Sequence, residues 1–141
     1  MLFRSYQAFD TPGDYQYCIF LGGVNDIGRG ATAAATFANA TALFAQMHAA
    51  GCRLVVFELT PFKGAPYGYD NPTSQSEAVV YDQDLADYCA EGGATCLDTR
   101  AVLGDGTTPP AYLPQYDSGD HLHPNAAGYS VMAQLVQTVV P

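Results

Sequence analysis

At 141 residues the chain is the size of one ordinary domain, and with 48% hydrophobic and 13% charged residues it is globular rather than disordered. Its net charge of −9 leaves five basic residues scattered at positions 4, 29, 53, 63 and 100, so no basic stripe exists for phosphates, and neither nucleic acid nor an anionic membrane surface is expected as a partner. No apolar run approaches the roughly 18 residues of a spanning helix.

Residues 1–16 are polar and punctuated by glycine and proline; Tyr6 and Phe9 suit a helix end, and Pro12-Gly13-Asp14 a turn. Residues 17–22 are an apolar run without alternation, which predicts a strand buried on both faces, as in a parallel sheet. Gly22-Gly23 then permits a sharp turn, and Asn25 follows just past the strand's carboxyl end, the edge at which open α/β sheets bind ligands. On this stretch alone an ordinary strand followed by an Asx turn is the simpler reading of the same residues.

An Ala-rich helix is expected over 31–50, with Phe37, Ala40, Phe44 and Met47 on its inner stripe and Gly51 as its stop. A second buried strand runs from Cys52 to Leu59 and ends at Pro61. The irregular loop 63–72 leaves the same end of the sheet as Asn25; its Tyr67 and Tyr69 either wall a substrate groove or are half-buried at a surface turn. Ser74 and Glu77 have the spacing of a capping box for a helix running to Glu91, with Ala78, Tyr81, Leu85 and Tyr88 inward. A short third strand covers 94–98, residues 99–123 show little periodicity, and a last helix starts at Pro124 or Asn125.

Of four cysteines, Cys89 and Cys96 bracket a glycine turn and are placed for a local disulfide, whereas Cys18 and Cys52 open predicted strands and read as small core hydrophobes. The single lysine and a Cys89–Cys96 bridge lean towards export. Strand, helix, strand, helix, strand, loop and helix predict one α/β domain over 1–141 with about three parallel strands covered by helices.

The second chemical signal is Asp120-x-x-His123. A carboxylate three residues before an imidazole, at a loop-to-helix corner, can hold the ring by Nδ1–H and leave Nε2 as a general base. Asn25 suits an oxyanion donor. Gly-x-Ser-x-Gly is absent, and none of Ser5, Ser74, Ser76, Ser118 and Ser130 follows a predicted strand. Two other readings stand beside this one. Asp120 and His123 suit a helix cap and a satisfied loop histidine, and His121 and His123 with Asp117 or Asp120 have a metal-like spacing that lacks evident further ligands.

Gly23-Val24-Asn25-Asp26 resembles the Gly-x-Asn-Asp block of the SGNH (GDSL-type) ester hydrolases, and Asp120-His121-Leu122-His123-Pro124-Asn125 resembles their Asp-x-x-His-Pro block, in the same order and at similar spacing. Leu59-Thr60-Pro61-Phe62 and Tyr116-Asp117-Ser118-Gly119 look like a lysophospholipase-like branch. The resemblance implies a flavodoxin-like three-layer fold and a carboxylic ester hydrolase with a Ser-His-Asp triad. It assigns Asp120 and His123 to catalysis, Asn25 with Gly23 to the oxyanion hole, a small ester as substrate, and no cofactor or metal. The family's Gly-Asp-Ser block, which supplies the nucleophile, has no match here, so the chain resembles the C-terminal part of such a domain. A sheet without the two strands that block accompanies would leave 17–22 as an unpaired apolar edge, open to self-association or complementation. A catalytically inactive binding or oligomerisation module of the same fold is the alternative.

Overall fold

The computed structural model describes residues 16–141. The turn expected at 12–14, the helix end at Tyr6 and Phe9, and Ser5 lie outside the described residues. Three parallel strands, β1 (Tyr17–Phe20), β2 (Arg53–Phe57) and β3 (Thr95–Leu97), form one sheet in the order β1-β2-β3. Tyr17 pairs with Arg53 and Phe20 with Val56, while Val55 pairs with Thr95 and Phe57 with Leu97. Helices α2 (Ala33–Ala49) and α3 (Pro72–Ala90) join the strands; α1 (Val24–Gly28), α4 (Thr99–Leu103) and α5 (Ala126–Gln137) complete the fold.

The central strand shows why its sequence is apolar without alternation. Leu54 and Val56 project into one core with Phe44, Ile27, Tyr81 and Leu85, whereas Val55 and Phe57 project into another with Leu97, Leu103, Tyr112 and Met132. Successive strand residues face opposite sides, so covering both faces requires every position to be apolar. Helices α2 and α3 cover the first face and α4 and α5 the second. The expected stripe on α2 is the buried one: Phe44 is fully buried, Ala40 and Met47 nearly so, and Phe37 packs at the margin.

The helix ends depart from the expected caps. The N-cap of α3 is Asn71, whose Oδ1 accepts from Ser74 N–H at 3.0 Å, with Pro72 in the first turn. Ser74 is instead inside the helix, because Pro72 can occupy a first-turn position that lacks an intrahelical acceptor anyway. Glu77 is drawn away from its own helix: its Oε2 accepts from Ala33 N–H at 2.6 Å and closes the start of α2. The stretch after β3 contains a short helix, α4, capped by Asp98. All four cysteines are paired, Cys18 with Cys52 as well as Cys89 with Cys96, because the register of β1 against β2 brings the first pair's Cα atoms to 5.4 Å. Cys18 and Cys52 are nonetheless buried.

Among the described residues β1 is paired only with β2, and Ile19 and Leu21 are 51% and 44% exposed. We propose this edge as a pairing surface, since unsatisfied strand edges with apolar side chains take up further strands. Residues 1–141 by themselves are expected to associate in a concentration-dependent way in sedimentation velocity, and Ile19→Lys with Leu21→Lys to return them to monomer. A wild-type monomer at every concentration would remove the proposal.

The carboxyl end of the sheet carries an acidic cluster. Burial, with Asp82 and Asp98 adding to it against Arg100, pushes the Glu58 carboxyl from its ordinary 4.5 up to about 7. Burial likewise raises Asp82 from 3.8 to about 6, against the opposing pull of Arg100 and the Leu59 N–H. Both groups hold protons more tightly folded than unfolded, so their ionisation destabilises the fold as pH rises from the unfolded values through the folded ones. The urea midpoint is therefore expected to fall between pH 4.5 and pH 7.5, and Glu58→Gln to flatten that slope.

Candidate active site

Three loops leave the carboxyl ends of the three parallel strands, and they carry every polar group of interest. After β1 the chain turns at Gly22-Gly23. Gly23 is buried at φ +111, and a Cβ there would stand 2.7 Å from the Tyr81 ring. Neither the left-handed backbone nor the space admits a side chain. Tyr81, wholly buried in α3, donates from its hydroxyl to the Gly22 carbonyl at 3.2 Å, and burial raises its phenol pKa. Strand β1 ends there and α1 begins, with Asn25 in its first turn. This short helix was not foreseen from sequence.

The Asn25 side chain is half-buried. Its Oδ1 accepts from the Tyr69 hydroxyl at 3.0 Å, and its Nδ2 has no acceptor among the described residues. After β2, Leu59, Thr60, Pro61 and Phe62 are all buried, and Leu59 N–H donates to Asp82 Oδ1 at 2.8 Å. The loop then turns outward. Tyr67 is 95% exposed at φ +60, while Tyr69 is half-buried and meets Asn25.

After β3 and α4, the chain reaches a compact loop that pins itself. Asp120 Oδ2 lies 2.7 Å from His123 Nδ1, and Asp120 Oδ1 accepts from the N–H groups of Leu122 and His123 at 2.9 Å and from the Ser118 hydroxyl at 2.9 Å. The bond to the His123 ring, with those N–H donors and the hydroxyl, holds the Asp120 carboxyl well below the usual range. A carboxylate on Nδ1 selects the tautomer with Nδ1–H and leaves the Nε2 lone pair unclaimed. A second pair sits beside it: Asp117 Oδ2 bonds Nδ1 of His121, and Asp117 Oδ1 accepts from the N–H groups of Gly119 and His121. These bonds hold His121 at φ +59. Each imidazole is thus bound at Nδ1 to its own carboxylate, and among the described residues no three His, Cys, Asp or Glu side chains are grouped as metal ligands.

The floor of this loop is apolar. Buried Tyr112 reaches the Leu122 carbonyl at 3.4 Å, and Leu122 packs against the first core. Asn125 closes the loop and caps α5 at once: Nδ2 donates to the carbonyls of Gln115 and Asp117, and Oδ1 accepts from Gly128 N–H. Gly64 lies beside the His121 ring, where a Cβ would be in ordinary contact at 3.4 Å, and a cleft of about 350 Å³ opens between Lys63, Gly64, Tyr112, Pro114, Asp117 and His121. The loop after β2 therefore touches both ends of the site, Asn25 through Tyr69 and the histidine loop through Gly64.

The described serines are engaged locally. Ser74 contacts Asn71 and the Ile27 carbonyl, Ser76 the Pro72 carbonyl and Ser130 the Ala126 carbonyl. Ser118 donates to Asp120, on the Nδ1 side of the imidazole rather than the Nε2 side. Sequence reasoning passed over Asp82 and Arg100, which are paired at 2.8 Å behind the site. A lone acid on a polar helix and an arginine after a strand carry no local signal of meeting.

An amide after one parallel strand and an Asp–His pair before a closing helix, in a three-layer α/β fold, define a protein of the SGNH hydrolase superfamily. The chain belongs to the GDSL-like lipase/acylhydrolase family, whose profile matches residues 3–131. The fold is similar to that of a GDSL-like lipase from Bacteroides thetaiotaomicron, with a TM-score of 0.76 at 18% identity over 86% of this chain and 60% of that one. A putative acylhydrolase from Bacteroides fragilis gives 0.74 at 19% identity, over 85% and 58%. A putative lipolytic protein of the G-D-S-L family from Desulfitobacterium hafniense gives 0.70 at 18% identity, over 86% and 63%. The chain thus spans about 60% of the length of these structures. Comparison with curated proteins gives no match.

Asp120→Asn tests the tautomer. An asparagine amide can present N–H where the carboxylate presented oxygen, which favours the proton on Nε2 and removes the free lone pair. Nitrogen-15 spectra of the imidazoles are expected to show His123 change from the Nδ1–H to the Nε2–H form in this variant, with His121 unaffected.

Proposed function

We propose that this domain hydrolyses carboxylic esters by acyl transfer to a serine, with His123 as general base, Asp120 as its orienting acid and Asn25 as oxyanion donor. The observation that carries this reading is the pairing of His123 Nδ1 with Asp120 Oδ2 at 2.7 Å, at the same end of the parallel sheet as the Asn25 amide. Among the described residues no acceptor takes the Asn25 Nδ2 hydrogens, which suits an oxygen that becomes negative only as the reaction proceeds. Gly23, beside it, is assigned to the same hole by the family resemblance.

The serine oxygen bonds to the ester carbonyl carbon, its proton passes to His123 Nε2, and the carbonyl oxygen takes the negative charge opposite Asn25. Collapse of the tetrahedral species breaks the bond to the alcohol, which leaves with the proton from Nε2. Water then repeats the sequence on the acyl-serine. Because the serines at 74, 76, 118 and 130 are committed to other partners, the attacking hydroxyl is assigned to a serine outside residues 16–141. The cleft beside His121 is the proposed place for part of a small ester; short acyl esters, acetylated sugars and lysophospholipids all fit the same chemistry. The exposed strand edge at Ile19 and Leu21 favours one other reading, a binding or oligomerisation module of this fold.

Residues 1–141 by themselves are expected to give no turnover of a short-chain nitrophenyl ester. In a chain that does turn it over, Asn25→Ala is expected to lower kcat by about 10²–10³-fold, and His123→Ala by on the order of 10⁴–10⁶-fold. Full activity in either variant would end the assignment of that residue, and inactivity of every form would favour the binding module.

A further inference from the structure

An asparagine amide has two different ends. Rotating it by half a turn about Cβ–Cγ exchanges a carbonyl acceptor for two N–H donors, at nearly the same shape. Facing a developing oxyanion, one orientation stabilises and the other sets oxygen against negative charge. Something must choose between them. The Tyr69 hydroxyl donates to Asn25 Oδ1 at 3.0 Å, and no other described residue bonds that side chain.

Tyr69 itself is held from two sides. Its ring lies directly against Gly28: a Cβ there would be 2.1 Å from Tyr69 Cδ1 and 2.6 Å from Cε1, so any larger residue displaces the ring. Its backbone leads straight into the cap of α3. Asp70 accepts from Gly64 N–H at 2.8 Å and from Gln75 Nε2 at 2.9 Å, and Asn71 caps the helix. The phenol thus reaches Asn25 from a braced segment, and the glycine that admits it lies three residues beyond Asn25 on the same short helix.

We propose that Tyr69 is a positioning residue that holds the Asn25 amide with its N–H groups towards the reacting carbonyl, and that Gly28 is the space this arrangement needs. The proposal rests on the reading of Asn25 as oxyanion donor. Its content is separate: a second residue sets the orientation of that donor.

Tyr69→Phe keeps the ring and removes the donor. In carbon-13- and nitrogen-15-labelled residues 1–141 the Asn25 Cγ resonance is expected to move upfield as its carbonyl loses the bond, with backbone shifts away from Asn25 and Tyr69 retained. An unchanged Cγ shift would overturn the proposal. In a chain that turns over ester, kcat is expected to fall about tenfold with KM unchanged, the rate equivalent of one neutral hydrogen bond. On an Asn25→Ala background the same change is expected to cost nothing further, because there is no amide left to orient. Additive losses, or a loss in KM alone, would make Tyr69 a substrate or structural contact and refute the positioning role. Gly28→Ala is expected to reproduce the Tyr69→Phe loss; wild-type turnover there would refute the part assigned to Gly28. Were Asn25→Ala itself without effect on kcat, the oxyanion reading would fail, and the Cγ shift would still decide whether Tyr69 orients the amide.

Discussion

Two adjacent side chains on α3 hold the segments that follow all three strands. Tyr81 takes the Gly22 carbonyl with its hydroxyl and fills the space beside Gly23. Asp82 takes Leu59 N–H on one oxygen and Arg100 on the other. The first contact lies just beyond β1, the second just beyond β2, and the third ties down α4 just beyond β3. A parallel sheet brings its carboxyl ends into line, but only contacts of this kind fix how far each loop runs before it turns.

The arrangement has an electrostatic cost. Asp82 keeps only 13% of its side chain exposed and has one arginine partner, and Glu58 and Asp98 lie close by, so burial and like charge raise both Glu58 and Asp82. Removing charges from water costs more than one ion pair restores unless further hydrogen bonds contribute. Leu59 N–H supplies such a bond to Asp82, and the Thr99 hydroxyl bridges the Glu58 and Leu59 carbonyls at 3.0 and 2.8 Å. The strand ends are therefore stitched by polar contacts in a place where apolar packing would be the less costly choice, and they sit directly beneath the loops that carry the site.

The histidine loop follows a different logic. It is nearly self-sufficient: Asp117, Asp120 and Asn125 each satisfy several donors or carbonyls within a span of eleven residues, 115–125. Its two Asp–His pairs are built alike, yet His121 sits in a left-handed backbone against Gly64 and lines the cleft, while His123 leads into the capped helix. Donors on its lone pairs hold the Asp120 carboxyl below the usual range, in a pair that is open to solvent.

What was legible in the residues was whatever depends on short range. Apolar runs of strand length, the 3.6-residue stripe Phe37-Ala40-Phe44-Met47, the Asp120-x-x-His123 spacing and the Asn125 cap all act within a turn or a single strand, so the three-layer parallel fold and the two family blocks could be read directly. What could not be read involves partners far apart in the chain. Glu77 closes α2 rather than its own helix, and Cys18 meets Cys52 because of strand register. Tyr69 finds Asn25 across 44 residues, and Tyr81 and Asp82 find Gly22, Leu59 and Arg100. Each of these side chains has ordinary local uses, as cap, core filler or surface acid, and only the packing of α3 across the strand ends selects the long-range one.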